Sequence, residues 1–329
     1  MGAYRLLLAI CVLFSHVEIS ILNSNPGVVA VISFLLLSGY VMTALIDKHY
    51  SGLSKIPAFY ADRAMRLLPQ YLFYFCLTLL LIAIAKPTSI FLENVSAEGI
   101  LFNLSVLPLN TQHFIGSRII PQAWSLGLEF QFYLLIPFIL ALRARHLAIL
   151  VSFVIFLFAY EGILKTALYG YSLLPGTLFI FLIGSLIRRT EKYGRLILLG
   201  IYISSAILIS ALYIRPALNV PFNFDVLIGI IIGVPAVWLF SNLKLGRLDD
   251  LLGNLSYGVF LNHFLLIWTF SAFSIEIKSS GATMMLVMAS ITLAWISYWI
   301  VERPAIAMRQ KFRSNLKPSE KIIVESVLK

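Results

Sequence analysis

Four side chains that can carry charge lie within long apolar stretches of the sequence: His16, Glu18, Glu129 and His263. Within an apolar span such a group is costly, about 2.5–3.5 kcal/mol for Asp, Lys or Arg, so it usually faces a cavity or a partner. Imidazole titrates near neutral pH and can act as a general base, which makes His16 the first catalytic candidate. The alternative is a neutral His16 that only forms a hydrogen bond with a neighbouring helix.

Helix geometry separates the two polar residues of the stretch CVLFSHVEISIL (11–22). Arg5 and His16 are separated by about three full turns, so they share one face, about 16 Å apart along the helix axis. Glu18 follows two residues after His16 and therefore points away from it. We expect His16 to share a face with Arg5, and Glu18 to reach the outer membrane interface as a bystander.

A second candidate is the pair Arg63 and Arg66 in FYADRAMRLLPQY (59–71), ahead of a predicted span. On a helix, their i, i+3 spacing places the two guanidinium groups side by side. Two guanidinium groups on one face suit a phosphate group. The alternative is that both are ordinary basic residues at the inner membrane edge, and spacing alone leaves both interpretations open.

Further polar groups lie in two later apolar stretches. Glu129 is about 9 Å below the outer surface by helix rise, with Tyr133 nearby, and this depth would allow Glu129 to converge with His16. Asn262 and His263 lie near mid-membrane, where a structural role for His263 is at least as good an interpretation as a catalytic one. No metal is expected, because the histidines and Glu129 fall on separate stretches without local ligand spacing.

The rest of the chain supplies the helices that would hold these groups in a membrane. The 329 residues are 60% hydrophobic and 12% charged, and the mean hydropathy is +0.92, which is too apolar for a soluble domain of this size. We predict an all-α integral membrane protein. Windows of suitable length mark about ten transmembrane helices, at about 4–22, 27–46, 67–86, 123–142, 147–165, 173–187, 196–213, 226–242, 251–272 and 283–301.

The distribution of basic residues predicts the orientation. Twenty of the 25 lysines and arginines fall in segments that are cytoplasmic if both termini are cytoplasmic. The net charge of +10 therefore requires no nucleic acid, because a positive inner rim facing anionic membrane lipid accounts for it. We predict a transmembrane domain over residues 1–305, a basic cytoplasmic tail over 306–329, and a short interfacial helix in the outer segment 87–122.

Six stretches, in chain order, resemble the membrane-bound acyltransferase 3 family, which includes bacterial O-antigen and exopolysaccharide O-acetyltransferases. They are Arg5 with His16, SFLLLSGY (33–40), Arg63 with Arg66 before a Leu-Pro, WSLGLEFQFY (124–133), SYGVFLNHFLL (256–266) and ISYWIVERPA (296–305). Each stretch alone is a weak indication of the family. Six stretches in the same order make a specific resemblance that runs over most of the chain.

The resemblance implies a reaction in which an acyl group, with acetyl expected, moves from cytoplasmic acyl-CoA to a hydroxyl of an extracytoplasmic polysaccharide or lipid-linked glycan. It implies that His16 is the catalytic base or acyl carrier, with Glu129 orienting the imidazole or stabilising its charged form. It also implies that Arg63, Arg66 and Arg5 hold the acetyl-CoA co-substrate. The expected location is the cell inner (cytoplasmic) membrane, as a multi-pass protein.

Four polar residues remain as further site candidates: Ser38, Tyr133, Asn262 and His263. The chain departs from the family pattern at Leu6, at Tyr40 and at Phe130, which makes the surroundings of its neighbour Glu129 more apolar. Many relatives carry a C-terminal hydrolase-like domain that completes the transfer. Because this sequence has none, we expect it to act alone or with a separate partner.

Two other functional classes stay open from the sequence. A proton-coupled transporter or flippase of a glycan or lipid would also use intramembrane His and Glu residues. A neutral glycan, however, would not require the Arg63–Arg66 pair, and the absence of an internal repeat weakens the transporter interpretation. A non-catalytic scaffold in a polysaccharide-export complex is the third possibility.

Overall fold

The structure is a computed structural model that describes residues 1–93, 95–114, 118–189, 191–243, 246–277 and 279–316. Lys244, Lys278 and the predicted tail after residue 316 lie outside the described residues. The regular structure in the described ranges is helical throughout. Its α-helices are α1 (Gly2–His16), α2 (Pro26–His49), α3 (Ile56–Ala85), α4 (Ala97–Ser105), α5 (Trp124–Ala141), α6 (Arg145–Tyr160), α7 (Leu174–Arg188), α8 (Lys192–Ile214), α9 (Asn223–Asn242), α10 (Arg247–Ala272), α11 (Ser280–Ser297) and α12 (Arg303–Ser314).

These elements confirm an all-α integral membrane protein. Within the described ranges, eight helices are long and apolar enough to cross a membrane, and α1 and α6 are shorter apolar helices. Together they follow the order of the ten predicted spans. The number of helices that cross the membrane and the side on which the termini lie stay predictions. In the segment that we predicted to be outer, α4 occupies the region where we expected a short helix.

The first helix ends at His16, so our prediction that it extends to residue 22 was wrong. Glu18 adopts a left-handed conformation with φ of 62°, and the backbone N–H of Ile19 donates to the carbonyl oxygen of Phe14 at 3.0 Å. This is the usual closure of a helix C-terminus. Hydropathy does not report such a turn, because the residues that follow His16 are still mostly apolar.

The third helix begins earlier than predicted, at Ile56 instead of residue 67. Pro57 lies in its first turn, where the missing N–H of proline is harmless. The charged residues of the first turns lower the hydropathy of this segment, although the helix runs through them. Arg63 and Arg66 therefore lie on the same helix that enters the membrane, instead of on a preceding loop.

The centre of the bundle is formed by α2 and α7, which pack closely against each other. Small residues allow this close approach, as is common between membrane helices. A Cβ atom added to Gly39 would lie 1.7 Å from the carbonyl oxygen of Phe181, and one added to Gly184 would lie 1.9 Å from that of Leu36. Because α2 is apolar on all sides, it can be surrounded by α1, α7 and α9.

The contact between α1 and α10 places two of the candidate residues, His16 and His263, next to each other. The carboxylate of Asp249 accepts hydrogen bonds from the terminal amino group of Met1 and from the backbone N–H groups of Gly2 and Ala3, each at 2.8 Å. At the other end of the same contact, His16 lies against His263. The two helices therefore run in parallel, and Asp249 sets the register between them.

Candidate functional site

A first cavity, the arginine cavity, is lined by five arginines from three helices and has a volume of about 350 Å³. Arg5 comes from α1, Arg63 and Arg66 come from α3, and Arg309 and Arg313 come from α12. The structure thus brings together the three arginines that the sequence singled out. It adds two from the segment that we predicted as a tail, because α12 packs against α3.

Buried carboxylates hold three of these five arginines. Asp62, which is 0% exposed, accepts hydrogen bonds from Nε of Arg63 at 3.0 Å and from Nε and Nη2 of Arg313 at 2.5 and 2.9 Å. Arg66 donates through Nη1 to Oε1 of the buried Glu302 at 2.5 Å. The guanidinium groups are therefore fixed in place before any ligand arrives.

Glu129 also lines the arginine cavity. Its Oε1 accepts a hydrogen bond from the Ser38 hydroxyl at 2.6 Å, and the Tyr133 hydroxyl donates to the same oxygen. The expected convergence of Glu129 with His16 is wrong, since no hydrogen bond or ring contact between the described parts of these helices joins them. Depth along two separate helices does not determine which way each one faces, and here Glu129 faces the Arg5 end of α1.

A second cavity, the histidine cavity, has a volume of about 990 Å³ and includes His16 and Glu18 in its lining. The His16 side chain is exposed within it. Glu18 lies on the same cavity, contrary to our expectation that it faces away, because the chain has already left the helix at that point. Ser271 and Glu276 add polar groups from the end of α10 and the turn that follows.

The His16 ring packs on a second, buried histidine. The ring centroids of His16 and His263 are 5.2 Å apart with an interplanar angle of 17°, and His263 is 0% exposed. The Nδ1 atom of His263 lies 3.4 Å from the carbonyl oxygen of Val259, and its buried Nε2 has no hydrogen-bond partner. Only His16 is therefore accessible to a substrate in the histidine cavity.

An aromatic layer separates the two cavities. Phe260 lines the arginine cavity, and its ring centroid lies 6.3 Å from that of His263 and 6.3 Å from that of Phe34. On the other side of His263 lies His16, which is also in ring contact with Phe264 at 4.7 Å. Arg5 and His16 thus mark the two sides of this layer on a single helix.

Asn262 is held by hydrogen bonds between two helices. Its Nδ2 donates to the carbonyl oxygen of Ser290 at 2.8 Å, and its Oδ1 accepts from the Ser290 hydroxyl at 2.5 Å. Both hydrogen bonds tie α10 to α11, and Asn262 is 0% exposed. It is therefore satisfied within the bundle and lines neither cavity.

Sequence reasoning missed the two arginines of α12 and their acidic partner. Arg309 and Arg313 are spaced i, i+4, which places them on one face of a helix, and this spacing was the signal that could have found them. Asp62 directly precedes Arg63, and a lone acid in an arginine-rich segment is a second such signal. Within the described residues, no group of three or more His, Cys, Asp and Glu side chains is arranged to hold a metal ion.

The chemistry of the two cavities is different and complementary. The arginine cavity suits a polyanionic ligand, because guanidinium groups match phosphate oxygens in charge and geometry. The histidine cavity offers one accessible imidazole, which can remove a proton from a hydroxyl group or accept an acyl group. The two sites lie about 16 Å apart along α1.

Comparison with known proteins finds relatives over part of this chain. An uncharacterized protein from Aquifex aeolicus (strain VF5) is 33% identical over 191 residues, which cover 55% of this chain and 84% of that protein. The O-acetyltransferase OatA from Staphylococcus aureus (strain NCTC 8325 / PS 47) is 33% identical over 123 residues, which are 35% of this chain. That match covers only 20% of the length of OatA. No solved structure matches this chain.

A family model described as an acyltransferase domain, that of the acyltransferase 3 family, matches residues 3–301. The match includes α1 to α11, and with them Arg5, Arg63, Arg66, Glu129 and both stacked histidines. Because it extends over nearly the whole sequence, it confirms the resemblance that the six motifs indicated. The chain belongs to the acyltransferase 3 family of multi-pass membrane acyltransferases.

Proposed function

We propose that this protein is an O-acyltransferase that moves an acetyl group from acetyl-CoA to a hydroxyl group of a glycan. The observation that carries the proposal is the pair of cavities that α1 joins. One cavity is lined by five arginines, and the other contains an exposed histidine. In this proposal the CoA moiety of the donor occupies the arginine cavity, and the acceptor enters the histidine cavity.

The positive charge of the arginine cavity matches the negative charge of acetyl-CoA. Acetyl-CoA carries its negative charges on phosphate groups at one end and its thioester at the far end of a long, thin arm. Arg63 and Arg66 would bind the phosphates from α3, and Arg5 would do so from α1. The carboxylate partners of Arg63 and Arg66 keep these two guanidinium groups ordered, which lowers the entropy that binding must overcome.

The histidine cavity is large enough for a sugar residue, and its imidazole is accessible. A cavity of about 990 Å³ is at the upper end of typical small-molecule sites, and it can hold a sugar residue beside the exposed His16. Its serines and its carboxylates at Glu18 and Glu276 offer hydrogen-bonding groups for sugar hydroxyls. The acceptor is therefore proposed to be a polysaccharide or a lipid-linked glycan.

The proposed chemistry uses His16 as a general base. The imidazole removes the proton of the acceptor hydroxyl while the hydroxyl oxygen attacks the thioester carbonyl carbon. The C–S bond then breaks, and the leaving thiolate takes the proton back from the imidazolium. In the alternative mechanism, His16 itself becomes acetylated and passes the group on, which mass spectrometry of protein incubated with acetyl-CoA alone would detect as acetyl-His16.

In this proposal, the aromatic layer between the two cavities is a barrier between the donor site and the acceptor site. The acetyl group must pass Phe260 and His263 to reach His16, so the layer has to open during the reaction. Glu129 lies on the donor side of the layer with Ser38 and Tyr133, which supports a role next to the arm of the donor. In this proposal, His263 positions the His16 ring by stacking on it.

The proposed location is the inner membrane of a bacterium, with the arginine cavity facing the cytoplasm, where acyl-CoA is made. The excess of basic residues in the segments predicted to be cytoplasmic supports this orientation. The relative OatA is named an O-acetyltransferase, which supports acetyl as the group and oxygen as its destination. Because that match covers 20% of OatA, the acceptor of OatA is not transferred to this chain.

The release of free thiol from acetyl-CoA tests the proposal. Purified full-length protein should release thiol when envelope glycans are added, and His16→Ala should abolish the release while CoA binding is retained. His146→Ala is the matched control, because His146 lies on α6 outside both cavities and should leave the rate unchanged. If wild-type protein neither binds CoA nor releases thiol, the donor assignment is wrong and a transporter becomes the better interpretation.

A further inference from the structure

The charges around the arginine cavity do not balance. Within the described part of the chain, five arginines line the cavity. They face three carboxylates, Glu129 in the lining and two that are ion-paired to lining arginines, Asp62 and Glu302. The cluster therefore carries an excess of two positive charges among side chains that are mostly buried, where uncompensated charge is costly. Such an excess is typical of a site that awaits an anion.

Arg309, like Arg5, is a cavity arginine that no carboxylate of the described residues holds by a hydrogen bond. Its side chain is 14% exposed, and its closest carboxylate contact is Asp62 Oδ1 at 3.9 Å, beyond hydrogen-bonding distance. Its Nε and Nη1 atoms are buried and have no hydrogen-bond partner in the part of the chain that the structure describes. Buried guanidinium donors without acceptors are rare in folded proteins, and these belong to a side chain that lines the cavity.

The neighbouring arginine explains why Arg309 is left over. Arg313 lies one turn further along α12, on the same face, and its Nε and Nη2 donate to both oxygens of Asp62. Arg63 donates to Asp62 as well. Arg309 Nε thus stays 3.9 Å from Asp62 Oδ1, the oxygen that Nε of Arg313 binds, and an external anion would supply the acceptor that Arg309 lacks.

We propose that Arg309 is an anion-binding residue and that α12 closes the arginine cavity as part of a phosphate site. The ligand chemistry is a phosphate group, and the identification of that ligand as CoA rests on the function proposed above. The same chemistry could come from an anionic lipid headgroup, which the experiment distinguishes. Arg313 acts as a positioning residue, because its bonds to Asp62 hold α12 against α3.

The test compares three variants of one helix in the full-length protein. Arg309→Gln removes the unsatisfied cation, and Arg309→Lys keeps the charge without the guanidinium geometry. Lys311→Gln is the matched control, because Lys311 carries the same charge on α12 but is exposed and does not line the cavity. Binding of CoA and of inorganic pyrophosphate is measured by calorimetry in lipid-free detergent, and melting temperatures are recorded with and without CoA.

We expect Arg309→Gln to weaken CoA binding by about tenfold or more, as the loss of a charged hydrogen bond predicts. Arg309→Lys should lose less CoA affinity than Arg309→Gln, and Lys311→Gln should bind CoA as tightly as wild type does. Without ligand, Arg309→Gln should melt at or above the wild-type temperature, because it removes a buried cation that has no acceptor. A merely structural role would instead lower the melting temperature and leave the CoA affinity unchanged.

The outcomes separate this inference from the proposed function. If wild type and Arg309→Gln bind CoA equally, Arg309 is not an anion-binding residue, while the acetyl-CoA donor stands. If wild type binds pyrophosphate in an Arg309-dependent way but does not bind CoA, the anion site stands and the donor assignment is wrong. A lipid ligand is indicated if only phosphatidylglycerol nanodiscs, and not phosphatidylcholine nanodiscs, stabilise wild type more than Arg309→Gln.

Discussion

Replacing Asp62 with asparagine would remove the carboxylate at the centre of the arginine cluster. This side chain is 0% exposed and accepts hydrogen bonds from two guanidinium groups, those of Arg63 and Arg313. Removing one partner from a buried ion pair typically costs about 3–5 kcal/mol, because the remaining charge is left without a partner. We expect a loss of this size in the free energy of unfolding, and the excess positive charge in the cluster rises from two to three.

The loss should be partly reversed by the proposed ligand. A ligand present at 100 times its dissociation constant adds about 2.7 kcal/mol to the stability of the folded state, and the added cationic excess should favour a polyanion. CoA should therefore bring Asp62→Asn closer to wild type, and it should stabilise the variant more than it stabilises wild type. Equilibrium unfolding in mixed micelles of increasing SDS fraction, with and without CoA, measures both effects.

A matched control is available on the exposed rim of the bundle. Asp47 forms an ion pair with Arg189, and the two side chains are 24% and 44% exposed, so the pair should contribute no more than about 1 kcal/mol. Asp47→Asn should unfold close to wild type. The electrostatic account is refuted if Asp62→Asn is as stable as Asp47→Asn, or if CoA stabilises wild type and Asp62→Asn equally.

Three further predictions concern helix packing, the stacked rings and the donor side. Gly184→Ala should destabilise the bundle by about 1–3 kcal/mol, because the new Cβ meets a backbone oxygen at 1.9 Å, whereas Gly200→Ala, with open space, should not. The yield of monodisperse protein in size-exclusion chromatography measures this difference. His263→Ala should lower kcat by about tenfold through loss of stacking on His16, and His263→Phe should restore most of it; equal rates for both would contradict a stacking role. Glu129→Gln should bind CoA more tightly than wild type in calorimetric titration, because a negative charge leaves the cavity, and weaker binding would contradict this.

The sequence predicted the positions of the functional groups along their helices well. Arg5 and His16 share α1, and Arg63 and Arg66 share α3, because the 3.6-residue period is a local property of the chain. The structure adds that Arg5 lines one cavity and His16 lines another. Two residues on the same face of α1 can therefore belong to two different sites when several helical turns separate them.

What the sequence could not supply was the direction in which each helix faces its neighbours. Glu129 was expected near His16 from its depth, yet Ser38 and Tyr133 hold it in the arginine cavity. The rotation of α5 depends on its packing against neighbouring elements, and no local pattern encodes it. Arg309 was counted only as a basic residue of the tail, because a charge count does not say which carboxylates are already occupied.

The central claim, that a donor on one side of the membrane serves an acceptor on the other, is tested most directly in proteoliposomes. Envelope glycan is sealed inside the vesicles, and acetyl-CoA with an isotopically labelled acetyl group is added outside. The account predicts that label appears on the enclosed glycan with wild-type protein and not with His16→Ala. Transfer that occurs only when donor and acceptor are on the same side would contradict it.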